Sequence, residues 1–192
     1  MITMKDIIRE GHETLYKVAE EVPIPMPEED KELLFKMMEY VKNSVNEEIA
    51  KKYGLRPAVG LAAPQVNVSK RMTAIHTWDE KNRSLHSYMM VNPKIVSHSE
   101  ELTYLPMGEG CLSIDREVEG LVMRYRRVTI DTYLLKEDGT LERVRLRLKG
   151  YPAVVAQHEI DHLNGILFPQ RIHPDNPYFI PEGAVPIEFN LD

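Results

Sequence analysis

Cysteine is almost absent: Cys111 is the only one in 192 residues, which excludes an internal disulfide. A chain of this length builds a sufficient core without one. In an intracellular protein a lone cysteine is buried filler, a nucleophile or a metal ligand. An excess of basic charge is missing too. With 24 Lys and Arg against 30 Asp and Glu, the net charge of −6 leaves no basic footprint, and no specific DNA binding is expected. Nothing approaches the ~18 consecutive apolar residues of a membrane span, so no membrane partner is expected. The opening MITMKDIIREGHETLYK is broken by charges every few residues and has no apolar core of the kind a signal peptide needs. A cytoplasmic home is the expectation. No repeat, low-complexity tract or linker divides the chain, and 43% apolar with 28% charged residues is an ordinary globular balance. Residues 1–192 therefore read as one catalytic-sized domain, with 172–192 as an irregular or extended tail.

Thr3 and Asp6 can open a short helix, and prolines at 23, 25 and 27 form a stiff, extended lead-in to a longer one. Over residues 28–52, apolar Leu34, Met37, Met38, Val41, Val45 and Ile49 recur at helical spacing, and Gly54 stops the run. Short β-like runs follow. RMTAIHTW and SYMMVNPKIV are separated by the turn-like DEKNRS, while RRVTIDTYLL and LERVRLRLK flank the hairpin signal EDGT. Arg143, Arg145 and Arg147 alternate with apolar residues and so share one strand face. That face reads as solvated, with contact to an anionic partner such as RNA as the alternative. A last helix should begin at Pro152 and end near Asn164 and Gly165.

On that helix lies QHEIDHLNG, residues 157–165. Side chains at i and i+4 stack on one face, so His158 and His162 can point at one shared ion. Glu159 is rotated about 100° from His158, which places it beside the ion, where a carboxylate can take a proton from a water that the ion acidifies. A catalytic site of this kind needs a third protein ligand and an open position. One metalloprotease pattern would continue to a third histidine, but Phe168 stands there although Gly165 is kept. Glu182 or Glu188 in the tail could serve, as in a zinc endopeptidase. So could Cys111 in MGEGCLSID, whose thiolate suits a soft or borderline divalent ion and whose neighbouring glycine admits a close backbone approach. A closed structural metal site, with the arginine-bearing strand as an interaction face, is a further reading.

Three stretches appear in order: VGLAAPQ at 59–65, EGCLS at 109–113 and QHEIDH at 157–162. Together they resemble the three signature motifs of peptide deformylases, and MITMKDIIREGH with RLKGYPAVVAQHEIDHLNG extends the resemblance to the Gram-positive-type branch over most of the chain. The first motif of that family commonly starts Gly-x-Gly, whereas here Ala58 holds the first position and only Gly60 is retained. The alanine is harmless unless that position needs positive φ.

The resemblance implies an α+β fold, with antiparallel strands around a C-terminal metal-binding helix, and hydrolysis of the formamide on N-terminal formylmethionine. Its partners would be N-formylmethionyl nascent peptides, with a ribosome contact also open. Cys111, His158 and His162 would hold one divalent ion, Fe2+ by family habit, with Ni2+, Co2+ or Zn2+ as substitutes. Glu159 would be the general base and acid, and Gln65 with the backbone N–H of Leu112 would stabilise the oxyanion. A methionine slot beside the ion would draw on Val59, Gly60, Leu61, Tyr151, Val154 and Val155, the last two one helical turn before His158. Asp161 would pair with an arginine such as Arg124.

Overall fold

The computed structural model describes residues 1–190. Thr3 caps a 3-10 turn at Met4–Asp6, with the Asp6 carboxylate accepting the Thr3 N–H at 2.9 Å. The proline lead-in is not uniformly extended, because the chain bends at Ile24 and Pro25. Helix α1, Glu28–Ser44, then opens with Glu28, Glu29 and Asp30 in its first turn, where negative charge is favoured by the helix dipole. It buries Leu34, Met37, Met38 and Val41.

The helical periodicity over residues 28–52 does not form one helix. It breaks after Ser44, and α2, Glu47–Tyr53, starts again with the Asn46 side chain accepting the Ile49 N–H at 3.2 Å. Asn46 offers the backbone a cap in place of a continuing turn. Val45, expected in the core, is consequently 54% exposed. Gly54 ends α2 at φ 65°, in the left-handed region that favours glycine.

The β-like runs assemble a five-stranded antiparallel sheet from β1 (Gly60–Ala62), β2 (Met72–Trp78), β3 (Leu85–His98), β6 (Arg127–Leu135) and β7 (Leu141–Lys149), in the order β1-β2-β3-β6-β7. The β6–β7 hairpin turns through Glu137–Thr140, where Lys136 N–H reaches Thr140 O at 2.8 Å. A second, small sheet was not anticipated. In it β4 (Leu102–Tyr104) lies between β5 (Arg124–Tyr125), antiparallel, and β8 (Val185–Pro186), parallel, so part of the tail is tied to the body.

Alternation along the strands separates two cores. Met72, Ala74, Met89 and Val91 face α1, whereas Ile75, Met90, Val128 and Ile130 face Ala153, Val155, Ala156 and Ile160 of α3 (Tyr151–Leu163). The main sheet thus carries α3 on one face and α1 on the other, α1 lying over its β1–β3 end.

No side chain near α3 in sequence caps its start. The carboxylate of Glu80, in the β2–β3 turn, accepts the Tyr151 N–H at 2.6 Å, and a Cβ at Gly150 would overlap that carboxylate. Glu80→Ala removes the cap and should cost about 1 kcal/mol. For a chain of this size that lowers Tm by ~2–4 °C, readable by calorimetry, and an unchanged Tm would show the cap to be idle.

Candidate metal centre

Helix α3 brings His158 and His162 onto one face, as their spacing requires. The segment between β4 and β5 delivers Cys111 against them. The thiol and the two imidazoles place one potential ligand atom each within 4.8 Å of one another, with Cys111 Sγ 3.4 Å from His162 Nε2. All three are largely screened from solvent, Cys111 at 9% exposure and His162 at 1%.

The orientation of the rings is set from outside the triad. Glu109 Oε1 lies 2.9 Å from His158 Nδ1, which leaves Nε2 as that ring's free nitrogen. Arg124 holds Glu109 with two hydrogen bonds, Nε to Oε2 at 2.9 Å and Nη2 to Oε1 at 2.8 Å. Its Nη1 donates to Asp161 at 2.8 Å, and Arg171 in turn donates to Asp161 at 2.8 and 3.1 Å. The Asp161–Arg124 pairing is therefore present, extended by Glu109 inward and Arg171 outward. Burial raises the Glu109 carboxyl, but Arg124 and His158 outweigh it and hold the group down to about 2.

Glu159 occupies the place beside the triad. Burial pushes its carboxyl up to about 7, partly opposed by His158 and Arg124, and its Oε1 has no hydrogen-bond partner. Among the described residues the other buried side-chain atoms without a partner are His162 Nδ1 and Asp30 Oδ2, so two of these three lie at this one place. Gly60 of β1 passes directly over the carboxylate: a Cβ there would lie 2.6 Å from Glu159 Oε2. That contact explains the glycine. Ala58 is not among the positive-φ residues, so its side chain costs nothing in backbone strain.

Gln65 sits in a 3-10 turn, Ala63–Val66, that follows β1. Its Oε1 accepts the Ala62 N–H at 3.0 Å, which turns Nε2 toward Cys111 Sγ at 3.4 Å and Ser113 Oγ at 3.2 Å. The Leu112 N–H donates to no protein acceptor among the described residues. Arg56 holds this segment from behind, donating to the carbonyls of Cys111 at 3.1 Å and of Leu112 and Ile114 at 3.4 Å.

A cavity of about 320 Å³ opens beside the triad, with Cys111, His158, Glu159 and Gln65 in its wall. Val59, Gly60, Tyr151, Val154 and Val155 line it. Leu61 does not. Successive strand residues face opposite ways, and with Gly60 turned to the cavity Leu61 is fully buried in the α1 core instead. Val45, Arg56, Leu105 and Glu109 also line the cavity and were not foreseen. Of these only Glu109 left a signal, an acid two residues before the cysteine.

The donor set fits a divalent ion. A thiolate and two imidazoles suit a borderline metal, and the cavity lies against this three-ligand set. The surroundings also call for positive charge: burial lowers the His158 pKa, yet contacts with Cys111, Glu109 and Glu159 raise it well above its ordinary value. Glu182 and Glu188, the alternative third ligands, are exposed in the tail and absent from the cluster.

Known proteins share this arrangement of sequence and fold. The family model described as polypeptide deformylase matches residues 4–177. Peptide deformylase 2 of Geobacillus stearothermophilus is 62% identical over 187 residues, covering 97% of this chain and 99% of the relative. Peptide deformylase 2 of Bacillus anthracis is 54% identical over 188 residues, covering 98% and 100%. The Met-Ala-Ser-bound crystal structure of a class I type b peptide deformylase from Acinetobacter baumannii superposes with a TM-score of 0.64 at 31% identity, over 86% of this chain and 96% of that one.

Proposed function

Since the chain belongs to the polypeptide deformylase family and is a metal-dependent amidohydrolase that removes N-formyl groups, we propose a division of labour among its residues. The observation that carries it is the Cys111, His158 and His162 cluster, two of whose members, Cys111 and His158, stand in the wall of an apolar cavity with the unpartnered Glu159 carboxylate alongside. Cys111, His158 and His162 would hold one divalent ion, Fe2+ first among the candidates, with Ni2+, Co2+ and Zn2+ suited to the same donors. Once bound, a divalent ion supplies Lewis acidity, which polarises the formyl carbonyl and acidifies a water.

The methionine side chain of the substrate lies against Val59, Tyr151, Val154 and Val155, which aligns the formamide across the end of the cavity. Glu159 takes a proton from the attacking water as its oxygen joins the formyl carbon. Glu159 then returns that proton to the amine as the C–N bond breaks, leaving formate and a free N-terminus. The carbonyl oxygen gains charge at the tetrahedral stage. Gln65 Nε2 and the Leu112 N–H are the donors placed to receive it, each worth about 3 kcal/mol in such a site. Arg56 keeps the Leu112 peptide aimed by anchoring the carbonyls around it. The Acinetobacter baumannii relative, with Met-Ala-Ser bound, supports a methionine-first peptide as the ligand. Nascent peptides bearing formylmethionine place the reaction in the cytoplasm.

The test is formate release from formyl-Met-Ala-Ser by anaerobically purified protein, with elemental analysis of the same sample. One formate per free amine is the expected product ratio. No formate with iron, nickel or cobalt supplied would overturn the assignment.

A further inference from the structure

Six exposed cations crowd one face of the main sheet, in a chain whose net charge is −6. Residues directly opposite in an antiparallel pair share a face, and β6–β7 places Arg127 opposite Lys149, Thr129 opposite Arg147, Asp131 opposite Arg145 and Tyr133 opposite Arg143. From β3, Lys94 pairs with Asp131 and joins the same face. Asp131 is the lone carboxylate on these β6 and β7 positions. It is taken by Arg145, with Nε at 2.7 Å, while the Arg143 guanidinium stands over the Tyr133 ring at 5.5 Å. Arg127, Arg147 and Lys149 have no carboxylate partner among the described residues.

This face is the reverse of the one that carries the metal ligands. Val128, Ile130 and Leu148 point the other way, into the core under α3. The peptide substrate is therefore not what the cations meet. Leu135 and Leu141, at the hairpin end of the same face, pack with the α1 core, whereas Arg127, Arg145, Arg147 and Lys149 are exposed to solvent. The Arg127 and Lys149 side chains, directly opposite each other, are a like-charge pair, which costs stability.

We propose that the β6–β7 face docks the phosphate backbone of structured RNA. Guanidinium forks match phosphate oxygens in pairs, and alternate strand positions repeat them every ~6.7 Å along β7. A bilayer is disfavoured because the uncovered part of these two strands has no exposed apolar side chain to insert, Thr129 and Tyr133 being partly covered. An acidic protein is disfavoured for a related reason: stable protein interfaces bury an apolar centre, and this face has none. What remains is an extended polyanion recognised by charge and fork geometry, without base reading.

The probe is a fluorescently labelled duplex RNA hairpin of about 20 base pairs, titrated with metal-loaded protein at about 50 to 200 mM salt and followed by anisotropy. The variant Arg147→Glu/Lys149→Glu should bind at least ~10-fold more weakly, with the slope of log affinity against log salt reduced by about 2. The control Lys51→Glu/Lys52→Glu on α2 makes the same change of net charge elsewhere and should stay within about twofold of wild type. Both variants should release formate from formyl-Met-Ala-Ser at the wild-type rate, which reports on folding and on the deformylase reading separately. Equal losses in the two variants, or none, would overturn the proposal. So would polyglutamate or phosphatidylserine vesicles binding as tightly as the RNA and losing as much in the face variant.

Discussion

Glu159→Gln should lower formate release by about 10²- to 10⁴-fold while the metal content stays at the wild-type level. Glutamine keeps the size of the side chain and its seat beneath Gly60, where nothing larger than hydrogen fits on the facing strand. It removes only the ability to accept and return a proton. Because Glu159 is not among the three clustered ligand atoms, its loss leaves the thiolate and both imidazoles in place. The measurements are kcat from a formate assay and metal stoichiometry by elemental analysis on one preparation. A variant that keeps kcat within about tenfold would move the proton transfer to another group, and one that loses its metal would make Glu159 a ligand.

The legibility of this centre in the sequence follows how far each contact reaches along the chain. His158 and His162 belong to one helical turn, so their convergence follows from the period alone. Cys111 comes from 47 residues before His158, and only its motif, not any periodicity, tied it to them. Leu61, named for the methionine slot beside Gly60, falls outside the cavity for a local reason: in a strand the neighbour of a cavity-facing residue turns away. Val45 shows the opposite case. Placed in the core by helical spacing, it is instead exposed at the break between α1 and α2 and reaches the cavity rim. The capping signal Asn46, followed by Glu47 and Glu48, is present in the sequence and prevails over the apolar period.

Most long-range polar contacts were not legible. Glu80 caps α3 across 71 residues, and the strands β4, β5 and β8 are two or three residues long, too short to carry any alternation. Such contacts follow from how the loops are carried by the sheet, and a charged residue in a turn gives no sign of its distant partner. The Asp161–Arg124 pair could be anticipated from charge and motif position. Its continuation to Glu109 and Arg171 could not.

That continuation makes Arg124→Met the substitution with the largest expected effect on stability. The Arg124 side chain is 3% exposed and neutralises two carboxylates at once, Glu109 at 3% and Asp161 at 9%. Methionine fills similar space but leaves Glu109 buried with only a histidine beside it, whereas Asp161 keeps Arg171. Breaking a buried ion pair by removing one partner costs about 3–5 kcal/mol. In a chain of this size that is a fall in Tm of roughly 6–20 °C. The same loss frees Glu109 from the geometry that orients His158, and weakening such a support typically costs ~10- to 100-fold in metal affinity. Cobalt-loaded protein challenged with a chelator should therefore lose its thiolate-to-metal absorption band faster in the variant. Adding Glu109→Gln to Arg124→Met removes the uncompensated charge and should restore part of the lost Tm without restoring metal retention, since a neutral amide orients the imidazole less firmly. If Arg124→Met melts within about 2 °C of wild type and holds cobalt as long, the buried network neither supports the fold nor positions the ligand.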